Sequence, residues 1–222
     1  DITILTRLTN LSDDHKQFIM NNLAQGNFSV SQCQLHVQKE IGSNQRKALA
    51  AFFTDNKGLN FMGEILTQSL QLNPKCNLRL CDPFMGSART LVHAVETIGS
   101  THIEKVFGVE IYYLSALVGF TALLKKFDGN YKKITVLEGN AFALISQQYS
   151  LDSGLNGCKF NYILTNPPFT RWRNLSPQDR DRLTAFMHEW GYKSYIYRKS
   201  MGLQIYSLFL CDLLLKDRGF LI

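Results

Sequence analysis

Apolar positions along the chain change spacing in a regular way. Compact apolar runs closed by turn residues read as buried strands over Asn77–Cys81, Lys105–Val109, Lys133–Leu137 and Phe160–Leu164, and a fifth strand starts at Arg218 and runs to Ile222. Between them, apolar residues at every third or fourth position predict helices over about Ser87–Ile98, Tyr112–Phe127, Ser176–Trp190 and Leu203–Lys216. A further amphipathic helix precedes the first strand, from about Lys57 to Leu72. It carries Leu59, Met62, Ile65, Leu66 and Leu70 on one side, with Thr54 or Asp55 at its N-cap. Strict alternation of strand and helix predicts an α/β fold, Rossmann-like, with a mostly parallel sheet, helices on both faces and right-handed crossovers. Residues 1–50 read as a small helical segment, with helices starting near Ser12 and Ser31, and residues 51–222 as the α/β domain.

Two strand ends carry the candidate chemistry. The first strand runs into Asp82-Pro83-Phe84-Met85-Gly86-Ser87 and then a helix. An acidic residue, a glycine-containing turn and a helix N-terminus form the nucleotide-binding corner of doubly wound sheets, where backbone N–H groups and the helix dipole face the ligand. The second strand ends on Glu110, the position expected to bind ribose hydroxyls, and the third on Asn140-Ala141-Phe142. Asn140 has the donor and acceptor an adenine edge needs and Phe142 a ring to cover it, while a loop Asn and a core Phe are an equal alternative. The fourth strand stops at Asn166-Pro167-Pro168-Phe169. Two prolines cannot donate ladder hydrogen bonds and hold their predecessors extended, so the chain leaves the sheet as a stiff outward loop. An Asn side-chain oxygen beside a proline carbonyl can accept both hydrogens of a planar amino group, and Phe169 can stack on the base that carries it.

Composition narrows the partner. Of 222 residues, 24 are Lys or Arg and 18 Asp or Glu, a net charge of +6. The excess is concentrated just after NPPF: Thr170–Ser200 holds seven basic residues, among them Arg171, Arg173, Lys193, Arg198 and Lys199, against three acidic ones. With Trp172 between two arginines, that window suits a polyanion. The five cysteines are scattered with no C-x-x-C pair, which argues against a disulfide framework or a metal site and for a reducing, cytoplasmic setting. No apolar run approaches membrane-spanning length, so no membrane partner is expected.

DPFMGS, the strand-end Glu110 and NPPF stand in the order and spacing of the amino-methyltransferases that use S-adenosylmethionine. The chain resembles the N6-adenine DNA methyltransferases, in the group holding type I modification subunits and fused restriction-modification enzymes. In that group an F-x-T-P segment precedes the glycine turn, matching Phe53-Thr54 here. The resemblance covers about Phe52 to Ile222. It implies S-adenosylmethionine as cofactor, with Phe53 and Thr54 at its methionine end. Asp82, Pro83, Phe84, Gly86 and Ser87 would shape the turn beneath it, Glu110 would bind its ribose, and Asn140, Ala141 and Phe142 its adenine. Asn166, Pro167, Pro168 and Phe169 would hold a base flipped out of double-stranded DNA, and Arg171, Trp172, Arg173, Lys193, Arg198 and Lys199 would meet the DNA itself. It further implies a specificity or nuclease subunit as partner. The family's last sheet strands and its target-recognition domain would lie beyond these residues, making the chain a fragment.

Three positions depart from the family pattern: Ala88 for a second glycine, Asp55 for the proline of F-x-T-P, and Asn140 for a more common acid. Ala88 is expected to push a Cβ toward the cofactor. DNA cytosine-N4 and RNA guanine-N2 methylation share the same amine-gripping geometry and stand as alternatives. A non-catalytic DNA-binding or assembly subunit keeping the fold is the alternative of another class.

Overall fold

The computed structural model describes residues 54–72, 76–143, 159–195 and 201–222, with scattered positions between 14 and 33. The expected N-terminal helical segment lies for the most part outside the described residues. From Asn56 the elements run α1 (Asn56–Leu72), β1 (Leu78–Asp82), α2 (Arg89–Ile98), β2 (Ile103–Glu110), α3 (Tyr113–Lys126), β3 (Ile134–Glu138), β4 (Phe160–Ile163), α4 (Pro177–Glu189), α5 (Leu203–Leu214) and β5 (Leu215–Leu221).

All pairings are parallel, in the order β3-β2-β1-β4-β5. The chain therefore moves outward from β1 in one direction, then returns and continues on the other side. The crevice between the C-terminal ends of β1 and β4 is the switch point where such sheets bind ligands. Period-2 side-chain alternation sends Leu78, Leu80, Val106 and Val136 to a core shared with α2 and α3, and Cys81, Phe107, Val109 and Leu137 to one shared with α4 and α5. Burial on both faces is why the strands read as continuous apolar runs.

Local signals fix the helix starts. Ser176 caps α4 by accepting from Asp179 N at 3.1 Å, and Pro177 takes the first helical position, where no N–H is missed. Asp55 caps α1, its Oδ1 accepting from Gly58 N at 2.7 Å. That gives the Asp at this position a capping role of its own.

The edge of the sheet differs from expectation. α5 stops at Leu214 and β5 begins at once, at Leu215, although Lys216, Asp217 and Arg218 are exposed and polar. An edge strand open to solvent needs no apolar run, so its first residues read as helix from sequence. Among the described residues no helix is long and apolar enough to cross a membrane.

Candidate active site at the β1–β4 switch point

A cleft opens at this switch point, lined by Thr54, Asp82, Phe84, Met85, Gly86, Ser87, Arg89, Thr90 and Asn166. Its floor is the turn after β1. Gly86 adopts φ +54°, and a Cβ built there would meet nothing within 4 Å, so glycine both permits the turn and keeps the cleft clear.

Asp82 organises the floor. Only 1% exposed, its carboxylate accepts from Phe84 N at 3.0 Å, Thr90 Oγ1 at 2.5 Å and Thr165 Oγ1 at 2.8 Å. The last bond crosses to the segment leaving β4, one residue before Asn166. Burial pushes the Asp82 carboxyl up to about 6, against the opposing pull of those three donors. Leu164 N donates to the Cys81 carbonyl at 3.0 Å and Thr165 N to the Ile222 carbonyl at 3.0 Å, so the base of the NPPF loop is pinned on both sides.

Asn166 Nδ2 donates to Thr54 Oγ1 at 3.3 Å, which turns the carboxamide oxygen away from Thr54. Thr54 thus joins the lead-in to α1 with NPPF. Its carbonyl accepts from Arg89 Nη1 at 2.6 Å, tying in the start of α2 as well.

Glu110 stands at the tip of β2. Its two oxygens accept from Gly86 N at 3.0 Å and Tyr112 N at 2.8 Å, fixing the carboxylate beside the glycine turn. Burial raises its carboxyl to about 7 although both N–H groups favour the charged form.

The expected site residues separate into three sets. Thr54, Asp82, Phe84, Gly86, Ser87 and Asn166 come together in the cleft, with Pro83 buried in its turn and Glu110 bonded to it. At the tip of β3 the arrangement differs from the adenine-binding expectation. Asn140 Oδ1 accepts from Phe142 N at 3.0 Å, Ala141 is buried, and the Phe142 ring, 4% exposed, packs edge-on against Phe186 at 5.4 Å between ring centres. Phe142 fills the core, whereas half-buried Phe84, 5.9 Å from it, is the ring that reaches the cleft. Beyond NPPF, Phe169 is 53% exposed, and Arg171, Arg173 and Lys193 are exposed. Trp172 is half-buried, one face stacked on Tyr206 at 5.5 Å, so it anchors the loop. Phe53, Arg198 and Lys199 lie outside the described residues.

The expected intrusion of Ala88 does not occur. Ala88 takes a left-handed conformation, φ 60° and ψ 27°, and is fully buried. Its methyl faces α3, where Gly119 leaves room: a Cβ at Gly119 would lie 3.1 Å from that of Ala88. Arg89, Thr90 and Thr165 belong to the site without having been expected there, because their partners are 35, 8 and 83 residues away in the sequence.

Comparison with known proteins agrees with this geometry. No curated protein matches the chain. Among solved structures, the type IIG restriction endonuclease BpuSI superposes with TM-score 0.58 at 15% identity, over 80% of this chain and 20% of that one. A type I restriction-modification methyltransferase subunit of Streptococcus thermophilus gives 0.55 at 17%, over 77% of this chain and 33% of the subunit. A Listeria monocytogenes protein assigned as a class I S-adenosylmethionine-dependent methyltransferase gives 0.53 at 15%, over 98% and 68%. At such identities the likeness establishes the fold, that of the S-adenosylmethionine-dependent methyltransferases, and the chain spans a third or less of the two restriction-modification proteins. Residues 37–201, well over half of the sequence, match the N-6 DNA methylase family, and the chain belongs to that family.

Proposed function

We propose that this chain transfers the methyl group of S-adenosylmethionine to the exocyclic N6 amine of adenine in DNA, as the catalytic part of a restriction-modification enzyme. The observation that carries the reading is the joining of two loops: the glycine turn after β1 and the NPPF corner after β4 share Asp82 through Thr165, and Asn166 lines the same cleft as Gly86.

The cleft suits the cofactor. The bare backbone at Gly86 leaves space for a ligand at the turn, and a carboxylate has more lone pairs than the two N–H groups that Glu110 binds, so it can also accept from ribose hydroxyls. When bound, S-adenosylmethionine supplies an electrophilic methyl on a sulfonium.

The remaining chemistry falls to the protein. An adenine amine is a weak nucleophile because its lone pair is delocalised into the ring. The Asn166 oxygen and the Pro167 carbonyl, accepting its two hydrogens, favour a tetrahedral nitrogen and localise that pair for in-line attack. Neither acceptor is a strong base, so the proton leaves to water after the nitrogen–carbon bond has formed. The base must be flipped out to reach the cleft, and exposed Phe169 offers a face on which it can stack. Pro168 keeps the corner stiff, and Arg171, Arg173 and Lys193 supply charge for phosphates.

Incubating double-stranded DNA with the protein and methyl-labelled cofactor, then digesting to nucleosides, tests the reading: the label is expected in N6-methyl-2′-deoxyadenosine. Label on cytosine would replace the adenine assignment, and no label in DNA with bound cofactor would contradict the reading.

A further inference from the structure

The cleft contains one cation among its lining residues, Arg89, and it stands at a position that favours negative charge. Arg89 is the first residue of α2, where the helix dipole repels positive charge and favours negative. None of the ion pairs among the described residues involves it: these join Arg79 to Glu104, Lys126 to Glu96 and Arg182 to Asp179. The acid among the cleft's lining residues, Asp82, is occupied by Phe84, Thr90 and Thr165. Yet the guanidinium is held firmly, Nη1 donating to the Thr54 carbonyl and Nη2 to Asn56 Oδ1, each at 2.6 Å. Both acceptors are neutral, and they use two of the five N–H donors. A half-buried, immobilised cation that has no ion pair among the described residues and faces a ligand cleft is a preorganised anion site.

We propose that Arg89 binds the carboxylate at the amino-acid end of S-adenosylmethionine, an assignment that rests on the proposed function. The arrangement ties cofactor arrival to the base-gripping corner. The residue whose carbonyl holds Arg89 is Thr54, whose hydroxyl holds Asn166.

Calorimetric titration with S-adenosylmethionine and with its decarboxylated form, which differs by that one group, separates this role from a structural one. Arg89→Gln is expected to weaken binding of S-adenosylmethionine at least tenfold while leaving the decarboxylated ligand unchanged or tighter, and Arg89→Lys to recover part of the loss. Equal losses for both ligands, or none for either, would overturn the proposal. Should Arg89→Gln not fold, the wild-type protein still decides: at least tenfold preference for the carboxylated ligand is expected, and equal affinity overturns the role of Arg89 while leaving the proposed function standing. Failure of the wild type to bind either ligand would overturn both.

Discussion

The two loops that meet at the cleft are built in opposite ways. In the turn after β1, Asp82, Met85, Ser87 and Ala88 are each less than 5% exposed, and one carboxylate organises two hydroxyls and a backbone N–H. The segment after β4 is pinned at its base through Thr165 and again at Thr170, whose carbonyl accepts from Leu203 N at 2.7 Å. From Phe169 onward its rings and cations face solvent, with Thr170 and Trp172 as the inward anchors. Under the proposed function, the contrast divides the site between two ligands of different scale. A small cofactor of fixed shape is met by a preorganised pocket, whereas a polymer delivering one base needs a rigid grip beneath an accessible platform.

The largest effect on stability is expected at the buried corner. Asp82→Ala strips the acceptor from Thr90, Thr165 and Phe84 N, at about 1 kcal/mol for each bond, so urea denaturation should show a loss of about 2–4 kcal/mol. A loss below about 0.5 kcal/mol would mean that Asp82 does not organise the turn.

Acidity probes the same corner. Burial raises Asp82 from 3.8 to about 6 and Glu110 from 4.5 to about 7, so the folded protein keeps protons that the unfolded chain releases. Their contribution is favourable at low pH and is lost as pH rises through this window, at about 1.4 kcal/mol per pH unit for each group. Stability measured from pH 4 to pH 7 should therefore carry a falling component that disappears in Asp82→Asn/Glu110→Gln. An unchanged pH profile in the double variant would contradict it.

The exposed platform should behave in the opposite manner. Phe169→Ala removes a ring that is 53% exposed, so the melting temperature should not move, while affinity for DNA with an unpaired target base falls about tenfold, as for one stacked base. A large drop in melting temperature with unchanged DNA affinity would reverse the comparison.

The smallest effect is expected at Ala88. Ala88→Gly relieves a left-handed alanine, worth about 1 kcal/mol, but exposes a space beside Gly119 and loosens the unfolded chain, so stability should change by less than about 0.5 kcal/mol. Cofactor affinity should also hold, because the methyl points to α3. A marked gain in affinity would restore the view that this methyl crowds the cofactor.

Most of the frame was legible in the sequence because a doubly wound sheet buries each strand on both faces, leaving apolar runs bounded by turn residues. The strands β1 to β4 fall within two residues of where those runs place them. The corners were legible because Gly86 and the Pro167-Pro168 pair act through backbone geometry, which is local. What could not be read was whatever depends on a partner distant in the chain. Thr165 looks like an ordinary strand-end residue until folding brings it to Asp82, and Arg89 like a helix-surface cation until Thr54 reaches it. Asn140 and Phe142 show the converse. Their types suit an adenine site, yet a local turn and the core against α4 engage them.

In the proposed function the pinned corner after β4 grips the amine while the turn after β1 holds the methyl donor. Asn166→Ala tests it directly when DNA methylation and cofactor affinity are measured on one preparation. Methyl transfer should fall at least about a hundredfold with cofactor affinity within about twofold of the wild type; undiminished methylation would mean that Asn166 does not hold the amine.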